Sequence, residues 1–556
     1  MKRDYEELLK KHREIIESLN ISEDEQQDIY SAISIVHLMN DKSVDEAMEH
    51  IKRTALYMDL PHPFDRDVRG ENDFAAIRLC VALYEVYDKL TEETKTLVKR
   101  FFLERDFTSM YGSENHVFMM RAARYLAAQF YKEDFKQFNM TAEEVLKTDK
   151  KYISEFIQFR AKYGVGEFTS AYLYEDMFMC AMLQHYVQDK ELKNMAQMAL
   201  DLLLIEALNN LDKNGYFAGG AGRTYSFNAV GCHSTEDIKK IFVDMVPRNH
   251  AILALVKHAP DEFIVDAYAN RKYPCEVFEQ KHLHSMYAWR TDTPDWAHIE
   301  KLLNAGSISK YTYLSDDYSL GAINHQDDYP VDETEDYVYA HHQQVEWSLT
   351  IPGTDEKDST KIFSHHPGLT DQHRHWTGDL DCCCSKAYAN KNTLLTIYDI
   401  EKEDKLEYTH MFLELEKFDR VEKMENDLFL RKGNVNVYVH VANPYTIDIK
   451  ESELISQGRK NAYVCRVEVG EDFDEFIQKY RNMPKIFDKD KMYLEFDGLF
   501  IDKNSNGYVH APEKYPYIHV HNSDWVQAKW GEGVIYVKNG DKTLVMDFNE
   551  NRKYIK

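Results

Sequence analysis

Cysteine is scarce in this chain: eight residues in 556, three of them adjacent at Cys382-Cys383-Cys384. That distribution builds no disulfide framework and fits a reducing compartment, so free thiols are expected. Long apolar runs are missing too, and nothing reaches the roughly 18 consecutive apolar residues of a membrane-spanning helix. The first residues, Met1-Lys2-Arg3-Asp4-Tyr5-Glu6-Glu7, enter a charged amphipathic helix without the apolar stretch of a signal peptide. A soluble, cytoplasmic protein is expected. Positive charge is in deficit: 68 Lys and Arg stand against 95 Asp and Glu, a formal charge of -27. Such a balance argues against nucleic acid or an anionic membrane as the main partner. There is no repeat of fixed period and no low-complexity tract.

What the chain does have is material for a large core, 44% hydrophobic and 13% aromatic, and a length that allows roughly two to four domains. From Asp4 to about Asn270 apolar residues recur at three- and four-residue spacing, with breaks at Asn20, Asn40, Pro61-His62-Pro63, Tyr111-Gly112, Gly164-Val165-Gly166 and Asn214-Gly215. The segments Val117 to Phe130, Val145 to Tyr163, Tyr172 to Val187 and Leu192 to Leu211 carry broad apolar stripes, as helices packed on both sides do. Repeated helical hairpins of this length commonly close into a toroid. After about Cys275 the segments become short, β-branched and aromatic, as in Ser309 to Ala322, Gln344 to Ile351, Leu394 to Ile400, Val435 to Val441 and Tyr493 to Ile501. Turn signals at Lys432-Gly433-Asn434, Asn504-Ser505-Asn506-Gly507 and Lys538-Asn539-Gly540-Asp541 fit antiparallel hairpins. Only Asp472 to Tyr480 reads as a helix there. The expected architecture is multidomain, an N-terminal α/α toroid or incomplete barrel over residues 1–275 followed by an antiparallel β-sandwich over 276–556.

Two helix starts concentrate polar groups. Gly112-Ser113-Glu114-Asn115-His116 opens an otherwise apolar helix, and Gly166-Glu167-Phe168-Thr169-Ser170-Ala171-Tyr172-Leu173-Tyr174-Glu175-Asp176 opens another. Unpaired backbone N–H groups and the positive end of the helix dipole favour anions at both. Ordinary capping by Ser113, Thr169 or Ser170 explains each start taken alone. One long helix, Ala142 to Tyr163, separates them, so both can open on the same rim. A third polar loop, Gly219-Gly220-Ala221-Gly222-Arg223-Thr224-Tyr225, offers an arginine able to grip a carboxylate in bidentate fashion, against the common role of a structural ion pair; Arg248-Asn249-His250 is a fainter candidate. In the β half, histidines crowd at His325, His341-His342, His365-His366, His373 and His375 without Cys-x-x-Cys or His-Glu-x-x-His spacing. There His342, Gln343 and Trp347 can close over sugars, although sheet packing explains Trp347 as well.

The order of toroid and β half, with Asn115-His116 at one helix start and Tyr172 about one hairpin later, resembles the polysaccharide lyases of the heparinase II and alginate (oligoalginate) lyase type. That resemblance implies a lyase that breaks uronic-acid oligo- or polysaccharides by β-elimination, with Asn115 neutralising the uronate carboxylate, His116 acting as base or stabilising the enolate, and Tyr172 as base, acid or both. Arg223, Tyr174 and Tyr225 then contact substrate. No cofactor is required for that step, and the related enzymes imply a structural zinc in the β half. The expected partner is an oligosaccharide, and a homo-oligomer remains open. Two other readings stand beside this one: a glycoside hydrolase using two carboxylates from Glu114, Glu167, Glu175 and Asp176, with Glu114 and Glu167 at the two helix starts, and a non-catalytic glycan-binding protein.

Overall fold

In the computed structural model, residues 3–24, 31–56, 72–104, 114–137, 140–166, 172–217, 219–222, 224–231, 234–282, 284–285, 307–325, 338–339, 345–355, 358–367, 375–377, 384–504 and 519–556 are described. Helices come first: α1 (Tyr5–Glu17), α2 (Ile21–Asp24), α3 (Ala32–Met39), α4 (Val44–Leu56), α5 (Asn72–Val81, continued by a π turn, Ala82–Val86), α6 (Glu92–Glu104), α7 (Glu114–Tyr131), α8 (Ala142–Tyr163), α9 (Leu173–Tyr186), α10 (Lys190–Leu208), α11 (Ser226–Val230), α12 (Ser234–Phe242) and α13 (Glu262–Ala269). Their packing closes a ring. The π turn of α5 meets α3, α5 meets α7, α7 meets α9, α9 meets the short turn Ala251–Ala254, and that turn returns to α3. Outside it, α4 packs on α6, α8 on α10 and α10 on α12.

Position in the ring explains the residues. Every side chain of α7 from Glu114 to Gln129 is buried, so this helix has no solvent face and its polar groups need internal partners. Arg124 grips Asp149 of α8 through Nε at 2.8 Å and Nη2 at 2.5 Å. The outer α8 opens with a capping box, Thr141 Oγ1 accepting from the Glu144 N–H while Glu144 Oε2 accepts from the Thr141 N–H. It ends at Gly164, whose φ of +80° suits glycine and where a Cβ would meet Lys281 at 2.8 Å.

The large antiparallel sheet has 13 described strands, with Cys275–His282, Ser307–Leu314, Ser319–His325, Trp347–Ile351, Thr360–His365 and Tyr408–Leu413 adjacent in its middle. A six-stranded sheet that includes Thr393–Asp399, Val435–Val441 and Lys460–Val469 faces part of it. Leu320, Leu349, Ile362 and Met411 from one sheet share a core with Leu394, Val437, Val439 and Tyr463 from the other, a sandwich. Helix α14 (Phe473–Arg481) covers the outer face of the smaller sheet with Phe476 and Tyr480. Two segments that read as single strands are hairpins. Ser309 to Ala322 turns at Ser315 to Tyr318, where Ser315 Oγ accepts from Tyr318 N–H at 3.1 Å, and Tyr493 to Ile501 turns at Asp497 and Gly498, both at positive φ. The turn expected at Asn504-Ser505-Asn506-Gly507 lies outside the described residues from Ser505 onward. No helix among the described residues is long and apolar enough to cross a membrane.

The last strands of the large sheet pack on helices. Val520, Trp525, Ile535, Val537, Met546 and Phe548 belong to the same apolar cluster as the ring helices. A buried polar junction joins the two halves there. Glu279 accepts from Asn209 Nδ2 at 3.0 Å, Asn210 Nδ2 at 2.7 Å and His521 Nδ1 at 2.7 Å, and Lys281 Nζ reaches Glu206 of α10 at 2.5 Å and Glu279 at 3.3 Å. Burial alone would raise the Glu279 carboxyl, but Lys281 and His521 outweigh it and hold the group well below its ordinary value. Lys281→Met, which leaves two carboxylates buried beside an apolar chain, is expected to lower unfolding free energy by about 3–5 kcal/mol, read as a shift of the denaturant midpoint. A loss no larger than that of an exposed pair, under about 1 kcal/mol, would show that the junction does not depend on Lys281.

Candidate active site

The inner helices α5, α7 and α9 bring their N-terminal ends together, and one arginine ties two of them. Arg160, in the last turn of α8, places Nη2 2.8 Å from Asp176 Oδ2 of α9 and 3.5 Å from Glu114 Oε2 of α7. Glu114 Oε2 also accepts from the Gly166 N–H at 3.0 Å. All three side chains are buried, and the guanidinium lies 4.6 Å above the Phe156 ring. Because α8 runs antiparallel to the inner helices, its C-terminal end arrives where they begin.

Above this triad stand the titratable groups. His116 Nδ1 bonds the carboxylate of Asp73, on the first turn of α5. Phe74 lies between the two helix starts, its ring 5.6 Å from that of His116, edge to face, and 6.4 Å from that of Tyr172. Tyr172, half-buried just ahead of α9, meets the hydroxyl of Tyr225 with its own at 2.5 Å. Imidazole and phenol therefore flank one phenylalanine. Beside them Tyr174 packs on His250, ring centroids 4.6 Å apart, and Asp237 accepts from Arg248 at 2.6 Å and from His250 Nε2 at 3.3 Å. Burial would raise Asp237, but those two hydrogen bonds outweigh it and bring the carboxyl down to about 2. Arg78 holds Glu175 in bidentate fashion at 2.8 and 3.2 Å.

Several expected site residues are placed otherwise. Glu114 has no exposed surface and is committed to Arg160 and Gly166, so it is a support rather than a catalytic acid or base. Asn115 is likewise fully buried. Tyr174, 8% exposed and so no more buried than His116 at 7%, packs its ring on His250. Trp347 is a core residue: it has no exposed surface, and its indole N–H donates to Ser364 Oγ at 2.8 Å inside the sandwich. Glu167, Arg223, His342, Gln343 and the capping candidates Ser113, Thr169 and Ser170 lie outside the described residues. Asp73, Phe74 and Arg160 were not singled out in the sequence. Asp73 reads there as an ordinary acid in a first helical turn, and Arg160 as a base in a last one.

In the β half, His375, His410 and Glu453 each offer a ligand atom, all within 4.8 Å of one another. Glu453 Oε1 accepts from His410 Nδ1 at 2.6 Å and His375 Nε2 at 3.0 Å, and Trp376 stacks flat on His410, 2° between planes and 4.2 Å between centroids. Cys80, Cys180, Cys275 and Cys465 are free thiols.

No family model matches the chain, and no curated protein matches it by sequence. Among solved structures it is similar to heparinase III, at 11% identity and a TM-score of 0.40 over 84% of this chain and 81% of that one. It is also similar to a mutant of the heparan sulfate lyase HepC from Pedobacter heparinus, at 10% identity and a TM-score of 0.21 over 91% and 82% of the two chains. At such values neither likeness transfers the role of a residue.

Arg160→Met leaves Glu114 and Asp176 buried and uncompensated and is expected to cost about 3–5 kcal/mol of stability, whereas Tyr225→Phe, which removes one hydroxyl contact, is expected to cost about 1 kcal/mol. Calorimetric melting of the two variants checks the ranking, and equal losses would contradict it.

Proposed function

We propose that the chain is a polysaccharide lyase that cleaves uronic-acid-containing oligosaccharides by β-elimination at the rim where α5, α7 and α9 begin. The observation that supports this most directly is the pairing across Phe74 of an imidazole held by a buried carboxylate with a phenol hydrogen-bonded to a second phenol. Elimination needs a group that takes the proton α to the carboxylate and a group that returns one to the departing oxygen. His116 is the base: with Nδ1 fixed on Asp73, Nε2 accepts the C5 proton and Asp73 stabilises the imidazolium that results. The electron pair of the broken C–H bond becomes the C4–C5 double bond, the C4–O bond breaks, and Tyr172 protonates the leaving oxygen; Tyr172 then regains a proton from solvent through Tyr225, and the imidazolium of His116 returns the C5 proton to solvent.

The carboxylate must be neutralised for the intermediate anion to form. Arg78 and Arg160 are buried, their side chains only 4% exposed; Arg248 is 31% exposed beside His250 but is held by Asp237, so it can neutralise a substrate carboxylate only by sharing its charge with that residue. Of the carboxylates the hydrolase reading needs, Glu114, Glu175 and Asp176 are engaged by arginine, and Glu167 lies outside the described residues.

A zinc ion belongs to the same reading, and the residues suit it. His375 Nδ1 and His410 Nε2 are buried without a hydrogen-bond partner, and burial brings His410 down to about 4, so its ring is neutral at pH 7, the form that ligates. His375, His410 and Glu453 would hold the ion, which would supply a cross-link between strands and no step of the elimination.

Incubation with uronate oligosaccharides is expected to give the ultraviolet-absorbing unsaturated product. Tyr172→Phe is expected to lower kcat by about 10²–10⁴-fold with melting unchanged. Cleavage with new reducing ends but no absorbance would establish hydrolysis instead, and binding without turnover would establish a glycan-binding protein. For the metal, elemental analysis is expected to find zinc in the purified protein and to lose it in His410→Ala; wild-type protein that stays metal-free after dialysis against zinc would remove the site.

A further inference from the structure

Phe227 is the exposed phenylalanine among the described residues, with 61% of its surface in water. It does not sit on a loosely held loop. On the other side of α11, Ser226 Oγ accepts from the Trp376 N–H at 2.9 Å, Ala229 is buried with Val345, Phe363 and Phe412, and Ala221 upstream exchanges backbone hydrogen bonds with Val345. The β half thus holds α11 so that one ring is presented outward. That ring lies parallel to Tyr225, 4° between planes with centroids 5.6 Å apart, and Tyr225 meets Tyr172 hydroxyl to hydroxyl. An aromatic shelf runs from solvent to the phenol of the site.

We propose that Phe227 and Tyr225 form a stacking subsite for the pyranose ring next to the one that reacts at Tyr172. This rests on the lyase reading. A pyranose presents aliphatic C–H bonds on its face and keeps its charged and hydroxyl groups at the edge, so an aromatic plane recognises it without using charge. On a chain of formal charge -27, that contact adds affinity for an acidic sugar where long-range electrostatics oppose it.

The test compares a uronate disaccharide with a tetrasaccharide on wild type, Phe227→Ala and Phe227→Trp. Loss of one aromatic platform is expected to lower the tetrasaccharide-to-disaccharide ratio of kcat/KM by about tenfold, chiefly through KM, with Trp restoring it. Calorimetric titration of the tetrasaccharide into Tyr172→Phe, alone and combined with Phe227→Ala, reads the subsite without turnover. Elimination with an unchanged ratio overturns the subsite and leaves the lyase standing. Saccharide binding that depends on Phe227 but yields no unsaturated product supports the subsite and removes the lyase. A shift from dimer to monomer in Phe227→Ala by light scattering, with saccharide affinity unchanged, overturns the proposal by making Phe227 a contact between copies.

Discussion

The buried guanidinium of Arg160 is the constraint on which the site depends. Two carboxylates, one from the first turn of α7 and one from the first turn of α9, are satisfied by the same cation. In a water-excluded environment neither can move away without leaving a charge unpaired. The helix starts are thereby held side by side, and what they carry on the layer above follows: His116 from α7 and Tyr172 ahead of α9, with Phe74 of α5 between their rings. Asp73 then fixes the imidazole from α5. Three inner helices contribute, and an outer helix locks them.

The β half completes this arrangement. Its first long strand brings Glu279 and Lys281 into a buried network with Glu206 of α10 and with Asn209 and Asn210 just past its end, so sheet and ring cannot slide without breaking charged contacts. Phe363 of a middle strand and Val345, just ahead of another, seat α11, and Trp376 fastens Ser226. Tyr225 and Phe227 owe their positions to that seating. The histidine cluster at His375 and His410 adjoins the same tryptophan.

The sequence carried the succession of helices and strands because each half keeps its own period, 3.6 on one side and 2 on the other. It carried the two polar helix starts because charged residues interrupt apolar stretches there. It did not carry their partners. Asp73 stands 43 residues before His116, and nothing local distinguishes it from an acid favoured by the helix dipole. Glu114 and Asn115 look exposed in a polar pentapeptide, yet a helix surrounded on every side buries them. Trp347 follows a polar run and reads as a rim residue, but its strand is buried on both faces. Chain order also separates helices from strands more sharply than packing does: Trp525 and Phe548, near the C-terminus, belong to the helical core.

The central claim is that one sugar residue sits between His116 and Tyr172. A crystal structure of the Tyr172→Phe variant with a bound uronate oligosaccharide tests it most directly. The account predicts the sugar ring above Phe74, its C5 facing His116 Nε2 and its glycosidic oxygen facing the position of the missing hydroxyl. A saccharide bound elsewhere, or bound with both rings turned away from C5 and the glycosidic oxygen, would contradict it.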